Sequence, residues 1–514
     1  MRPIRPGLLT MYACGPTVYR YAHVGNLRTF MLPDLIRRAA LYSGLDVRHV
    51  QNITDVGHLR DEHLEPGADP MLVAAGLEGR PPAEIADAYE AAFHADAARI
   101  NLLSAHAYPR ATEHIAEMLA IAERLEALGH AYVTPLGNVY YAVASYPAYG
   151  RLSGNTLEGL RAGHRGGVEP DKRDPADFAL WKAAGTGRLL TWPSRWGEGF
   201  PGWHLECSAM AMRHLGEHFD LHTGGEDNVF PHHEDEIAQS APLVGGAPAN
   251  LWVHAGHLLT DGRKMAKSAG NFQRITELEE EGIEPLAFRY LCLTARYSRR
   301  LEYSDDSLDA AARALRTLRR RLRALGPPPL AGPWEAPAAL VAGRAPDRPT
   351  GTAAGILGHA GDEARHGPGG GSEPKLRDRT AAPAAPLSPH GRDLHDAFVS
   401  AIDDDLDMPS ALATVHAMVR ADLPPDERRW LTLDADFVLG LDLHRAWRRA
   451  AARPRSATRA VGREARRILE ERQRARAAGD WATADTLREE LRRLGHEPVD
   501  RADGTTVLRR PEAD

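Results

Sequence analysis

The first fifty-odd residues constrain the fold more than any other part of the chain. LLTMYACG (8–15) is an apolar run of strand length, and the turn after it contains Gly15 and Pro16. TFMLPDLIRRAALYSG (29–44) has helical periodicity and stops at Gly44, a good closing residue for a helix. DVRHVQNIT (46–54) then returns as a strand. Strand, glycine-containing turn, helix and strand open a parallel, Rossmann-like sheet. A second α/β stretch from Trp203 to Phe272 has glycines clustered in HTGGEDN (222–228) and DGRKMAKSAGN (261–271).

Between these stretches the spacing predicts helices within 80–109 and 112–129, and an antiparallel insertion over 137–154. From Ser307 one apolar stripe recurs at Leu308, Ala311, Leu315, Leu318, Leu322 and Leu325. Residues 326–390 are dominated by Gly, Pro and Ala and read as a flexible linker or surface insertion. Helices are expected again over 391–445 and 459–478. A terminal helix follows with Trp481, Ala484, Leu487, Leu491 and Leu494 on one side, and GTTVLRR (504–510) reads as a last short strand.

Composition narrows the class. With 514 residues, 43% of them apolar and 26% charged, the chain holds more than one core and is neither a membrane protein nor wholly disordered. No 18-residue apolar run and no signal-like N-terminus appear, so a cytoplasmic location is expected. Sixty-three basic against seventy acidic side chains give no general preference for nucleic acid, although a local RNA surface is compatible with that balance. Three cysteines, Cys14, Cys207 and Cys292, suit a reducing compartment and rule out a disulfide scaffold.

Two motifs carry the first chemical signal. In CGPTVYRYAHVGNLRTF (14–30), His23 and Asn26 flank Gly25 where a strand hands over to a helix, an arrangement suited to a triphosphate at a helix N-terminus. KMAKS (264–268) places Lys264 and Lys267 in a glycine-flanked loop, where two ammonium groups can clamp a pyrophosphate. Either motif alone is weak, since a lysine pair is usually solvated surface. In this order, flanking α/β segments, they favour class I aminoacyl-tRNA synthetase chemistry.

The second signal is metal-like. Cys14 ends the first strand, Cys207 lies in PGWHLECSAMA (201–211), and PHHEDE (231–236) supplies His232 and Glu236 at i, i+4 on a helix started by Pro231. Two thiolates, an imidazole and a carboxylate are acceptable tetrahedral zinc ligands. No CxxC knuckle is present, and an isolated Cys in an apolar strand is usually core, so spacing alone favours core cysteines over a shared metal. His233 competes as a ligand, but Ile237 follows it at i+4 and turns that face toward the core. Cys292, between apolar residues, reads as core.

The chain resembles the cysteinyl-tRNA synthetase family. The resemblance rests on MYACGPTVYRYAHVGNLRTF (11–30), NITDVG (52–57), PRATEHI (109–115), YGRLSG (149–154), DFALWKAA (177–184), PGWHLECSAMA (201–211), GGEDNVFPHHEDEIAQS (224–240) and GRKMAKSAGNF (262–272). It continues through IDDDLDMPSALA (402–413) and GDWATADTLREEL with GTTVLRR (479–510), nearly end to end outside 326–390.

That resemblance implies an α/β fold: a Rossmann-like class I catalytic domain over 1–300, with a connective subdomain inserted at about 110–200. It implies a linking helix at 301–325, the insertion at 326–390, a helical tRNA-binding bundle over 391–450 and an anticodon-binding region of helices and a short strand over 451–514. The implied activity joins L-cysteine to ATP as cysteinyl-adenylate and transfers it to tRNA(Cys), releasing AMP and diphosphate. One Zn2+ per chain would fall on Cys14, Cys207, His232 and Glu236. ATP, with Mg2+, would meet Gly25, His23, Asn26, Asp227, Lys264 and Lys267. Of these, His23, Asn26, Lys264 and Lys267 would serve catalysis, and Thr17 and Trp203 the amino-acid pocket. A monomer with no DNA or membrane partner is expected. Arg463, Arg466, Arg467, Arg472, Arg474 and Arg476 would suit phosphate contacts, although an Arg-rich helix is often only a solvated face.

Departures from the family pattern are Arg20 for an aspartate, Ala266 for a serine, GHLRDE (57–62), the start of the chain close to Met11 and the long 326–390 stretch. Alternatives sharing the same site are a cysteine ligase acting on an aminosugar, a duplicated synthetase of specialised metabolism or resistance, and a non-catalytic tRNA-binding relative.

Overall fold

The computed structural model describes residues 2–56, 78–156, 171–185, 190–260, 262–265, 272–327, 387–447, 471–476, 479–500 and 506–509, with a few short pieces between them. Lys267, Ala266, GHLRDE (57–62) and nearly all of 326–390 lie outside the described residues.

Strand β1 (Leu8–Ala13) leads into the helix Val24–Tyr42 and then β2 (Asp46–Gln51), paired in parallel. The helix starts five residues before its apolar periodicity becomes visible, because His23 and Asn26 form a reciprocal cap at its N-terminus. An insertion follows, with helices Pro82–Arg99 and Ile115–Ala127 and an antiparallel sheet of β3 (Ala131–Val133), β4 (Val139–Tyr141), β5 (Phe178–Ala183) and β6 (Gly199–Pro201). Within 137–154 only β4 is strand. The Val143 N–H goes to the Asp177 carboxylate at 3.0 Å instead of a strand neighbour, and a 3-10 turn runs Val143–Ser145.

The chain then returns to the first sheet through the helix Trp203–Leu215, β7 (Phe219–Gly225), the helix Glu234–Val244 and β8 (Ala249–Ala255). The strand order β2-β1-β7-β8 is all parallel, so the sheet's direction of growth reverses between β1 and β7. Ligands of open α/β sheets bind beyond the strand C-termini at such a point. A smaller sheet, β9 (Leu258–Thr260), β10 (Arg263–Lys264) and β11 (Leu301–Glu302), follows at once.

In the helix Asp305–Arg323 the expected stripe of Leu308, Ala311, Leu315, Leu318 and Leu322 is buried, while Leu325 lies past the helix end. That stripe shares one apolar core with the helix Val24–Tyr42 and with helices Pro389–Asp403, Met408–Met418 and Pro425–Leu439. A separate small core holds Ala465, Ile468 and Leu491, beside the helix Trp481–Arg493 and the hairpin β12 (Glu497–Asp500) and β13 (Thr506–Arg509). Two expectations need correction here. Trp481 is 62% exposed: it shares the phase of the stripe but stands at the first helical position, one turn before the buried Ala484 and Leu491. Arg472 is buried and bonds Thr506 Oγ1 at 3.1 Å, so it ties the hairpin down inside the fold. Among the described residues no helix is long and apolar enough to cross a membrane.

Candidate metal and nucleotide site

The four candidate metal ligands gather near the C-terminal ends of β1 and β7. Cys14 follows β1, and its N–H bonds Thr223 O at 3.0 Å. Cys207 sits inside the helix Trp203–Leu215, and Glu236 in the first turn of Glu234–Val244. His232 precedes that helix in a wider π turn (Val229–His233), so the α-helix begins later than Pro231 suggests. The i, i+4 pairing survives the wider turn: His232 Nε2 lies 3.1 Å from Glu236 Oε1. One donor atom from each of Cys14, Cys207, His232 and Glu236 lies within 4.8 Å of all the others. A zinc tetrahedron needs donors about 3.3–3.8 Å apart, so only small adjustments separate this set from one.

A second set shares two members: Cys14 and Glu236 with His222 and His233. His222 was not anticipated, and His233 does not simply face the core, since its Nε2 is 3.3 Å from Cys14 Sγ. Its Nδ1 meets His254 Nε2 at 2.8 Å, and His222 Nε2 meets Glu236 Oε2 at 2.9 Å. Burial and the neighbouring histidines hold His233 well below its ordinary pKa, as a neutral imidazole. The first set contains both thiols, the softer donors that favour zinc. It is also the one beside Trp203, which is 40% exposed with its ring 4.4 Å from that of His232. Trp203 thus gives that side an exposed neighbour, while His232, His222 and His233 are all buried.

The electrostatics fit a cation. Burial raises the pKa of the Cys14 thiol and of the Glu236 carboxyl. The hydrogen bond to Cys14, then burial, raises that of Cys207 well above its ordinary value. Three potential anions crowded out of water resist ionisation together, and a divalent ion reverses that preference. Mixed sulfur, nitrogen and oxygen donors do not suit Mg2+ or Ca2+, which take oxygen. Asn52, also missed from sequence, supports the cluster: its Oδ1 accepts from Gly15 N–H at 2.8 Å and lies 3.7 Å from Cys207 Sγ. Cys292 is buried elsewhere, its thiol pushed up to about 12 by burial.

The two nucleotide motifs meet across the chain. The His23 ring packs edge-on to Phe272 at 5.6 Å, and Val24 N–H bonds Gln273 O at 2.9 Å. A Cβ on Gly25 would come within 2.8 Å of the His23 ring and 3.8 Å of Met265 Cβ, so the close approach needs glycine. Here His23 and Asn26 cap the helix: Asn26 N–H donates to His23 Nδ1 at 3.1 Å, and His23 N–H to Asn26 Oδ1 at 3.2 Å. Lys264 ends β10, paired with Leu259. Asp227 is exposed in the turn after β7. The Thr17 backbone pairs with Thr54. Arg20 lies over the Tyr19 ring at 5.0 Å.

Known proteins agree with this architecture. A family model described as tRNA synthetases class I (C) catalytic domain matches residues 1–313, and one described as cysteinyl-tRNA ligase anticodon binding domain matches residues 458–496. The chain is 40% identical over 510 residues to cysteine–tRNA ligase 1 of Burkholderia lata, spanning 98% of this chain and 93% of that protein. It is 39% identical over 503 residues to cysteine–tRNA ligase of Thermus thermophilus, spanning 96% and 93%. Among solved structures, Mycobacterium tuberculosis methionyl-tRNA synthetase in complex with methionyl-adenylate aligns with a TM-score of 0.51 over 85% of this chain and 91% of that one. At 14% identity that likeness concerns the fold alone.

Proposed function

The chain belongs to the cysteinyl-tRNA synthetase family and is an ATP-dependent class I enzyme that ligates cysteine to tRNA, and we propose that a zinc ion on Cys14, Cys207, His232 and Glu236 selects its amino acid. The observation that carries this reading is the convergence of four buried or half-buried donors, from three separate stretches of the chain, within 4.8 Å. A plain pocket separates near-isosteres by only about 1–3 kcal/mol. The ion would supply affinity for a soft thiolate, which serine, alanine and valine lack.

The protein's own groups would do the rest by position and charge. Trp203 and Thr17 would border the cysteine. His23, Gly25 and Asn26 at a helix N-terminus, with Lys264, Lys267 and Asp227, would hold ATP and its Mg2+. The cysteine carboxylate attacks the α-phosphate and diphosphate leaves. A hydroxyl of the terminal adenosine of tRNA(Cys) then attacks the adenylate and AMP leaves. Neither step requires a protein nucleophile, so orientation and charge stabilisation dominate. We assign 391–450 and 451–514 to tRNA binding, about 110–200 to the connective subdomain, and a monomer as the working form.

The test is Cys207→Ser in the full chain. Elemental analysis should fall well below one zinc per chain, and KM for cysteine should rise by at least about 10–200-fold, the range open to a pocket without a coordinating ligand. Full zinc retention with unchanged KM would remove Cys207 from the site.

A further inference from the structure

His232 does not stand alone behind the metal-like cluster. Its Nδ1, on the side away from Glu236, lies 2.8 Å from Nδ1 of His204. The other nitrogen of His204, Nε2, lies 3.3 Å from Asp235 Oδ2. The second oxygen of Asp235, which is buried, accepts a hydrogen bond from the Tyr149 hydroxyl. Tyr149 belongs to YGRLSG in the insertion, and Ser153 in the same turn donates its N–H to Glu234 Oε2 at 2.8 Å. One turn of the insertion is thus bonded to two successive acidic residues at the start of the helix that carries Glu236.

The proton positions follow from the donor and acceptor inventory. The Tyr149 O–H donates to Asp235 Oδ1, and with Asp235 ionised, so that it can only accept, the His204 Nε2–H points at its other oxygen. A neutral His204 with its proton on Nε2 has a bare Nδ1, which must accept. His232 must then carry its proton on Nδ1, leaving Nε2 with a lone pair directed at the cluster. The opposite tautomer would put a proton on Nε2 facing Glu236 Oε1, where it would make a hydrogen bond and no metal bond. Ring packing holds the arrangement from both sides. Phe178 meets His204 edge-on at 6.0 Å, and Trp203 packs on His232.

We propose that Tyr149, Asp235 and His204 are positioning residues that fix the tautomer and ring orientation of His232 for metal binding, and so make the metal site depend on docking of the inserted turn. This rests on the metal reading above. Outer partners of a metal-bound imidazole are worth about 10–100-fold in metal affinity.

The experiment uses the full chain loaded with zinc(II) for chelator competition and with cobalt(II) for visible spectroscopy. His204→Ala should weaken zinc by about 10–100-fold and shift the cobalt ligand-field bands. His204→Asn, whose Oδ1 can accept from His232 Nδ1–H, should recover most of both. Tyr149→Phe, the mildest change, should weaken zinc less, by about 3–10-fold, and raise KM for cysteine while KM for ATP stays put. Thermal melts confirm that each variant is folded, and Tyr149→Phe serves if His204→Ala is not. Wild-type affinity and cobalt spectra in folded His204→Ala and Tyr149→Phe would overturn the positioning role and leave the metal reading standing. A wild-type chain that binds neither ion would overturn the metal reading itself.

Discussion

Two buried polar clusters lie on either side of the parallel sheet, and they treat charge in opposite ways. Around the first cluster, burial pushes Cys14 and Glu236 away from ionisation, and the hydrogen bond to Cys14, then burial, does the same to Cys207. Across the sheet, Asp34 and Arg38 of the helix Val24–Tyr42 and Arg289 of the helix Pro285–Leu293 are equally buried but closely paired. Arg289 Nη2 lies 2.6 Å and Arg38 Nε 3.0 Å from Asp34 Oδ2. Leu103 N–H donates to Asp34 Oδ1 at 2.8 Å. The positive charge left over faces the C-terminus of the helix Pro425–Leu439. Arg38 Nη1 donates to Phe437 O at 2.8 Å and Arg289 Nε to Leu439 O at 2.6 Å, where the helix dipole is negative. Gly440 closes that helix at φ +62°, and a Cβ there would meet the Arg289 guanidinium at 2.6 Å. A paired cluster holds the tail bundle on the catalytic half. A cluster left short of positive charge suits a cation. Burial alone does not separate structure from function; the balance of charge does.

The largest effect should come from breaking the paired cluster. Arg289→Ala takes one of its two guanidinium partners from Asp34 and a side-chain donor from Leu439 O and Ile100 O, and removal of one partner of a buried pair costs about 3–5 kcal/mol. Denaturant unfolding of the full chain measures it, and a loss under about 1 kcal/mol would mean the pair acts like a surface one. The same contacts make a chain cut near residue 325 a poor fold, since losing the helix Pro425–Leu439 would take Phe437 O from Arg38 and Leu439 O from Arg289.

A smaller effect sharpens the contrast through pH. Burial raises the Asp34 pKa, but Arg289 and Arg38 more than offset it and hold the carboxyl below its ordinary value. Its contribution is therefore complete above the ordinary carboxylate pKa of about 3.9 and fades only as pH falls through the lower folded value. Asp34→Asn should cost about 1.5–3 kcal/mol, the worth of hydrogen bonds to a charged group. The gap to wild type should stay flat from about pH 8 to pH 5. A gap that narrows between pH 7 and 6 would show that Asp34 is not held as an anion.

Both clusters were partly legible in the sequence, for different reasons. The βαβ opening and the 307–325 stripe rest on local periodicity, which survives into the fold almost unchanged. The cluster at Cys14 came from residue types with little other use: scarce cysteines and a His/Glu pair one turn apart. His222, His204, Asp235 and Asn52 escaped because each looks like an ordinary polar residue on its own element, and they meet only when β1, β7 and two helices pack. Asp34 and Arg38 sit one turn apart inside a largely apolar helix, but the further partners that define the cluster, Arg289 for Asp34 and Phe437 O for Arg38, lie 255 and 399 residues away. Trp481 failed in the other direction. An aromatic in phase with a stripe looked like core, and its place at the first helical position left it outside.

The smallest expected effect tests whether the two clusters are independent. They share no residue. Cys207 belongs to the core on one face of the sheet, with Tyr12, Leu205 and Phe219, whereas the apolar neighbours of Arg289 on its own helix belong to the core on the other face. Close packing could still transmit strain through the helix Val24–Tyr42, because its capped N-terminus borders the nucleotide motifs and its middle carries Asp34 and Arg38. A double-mutant cycle separates these cases. Arg289→Lys keeps the charge while losing the forked bonds, and Cys207→Ser removes one thiol from the metal cluster. Sites without shared partners add to within about 0.3–0.5 kcal/mol, and that is the coupling expected for unfolding of the zinc-loaded chain. A coupling beyond about 1 kcal/mol would join the clusters through that helix, so that docking of the tail bundle bears on how the metal ligands are held.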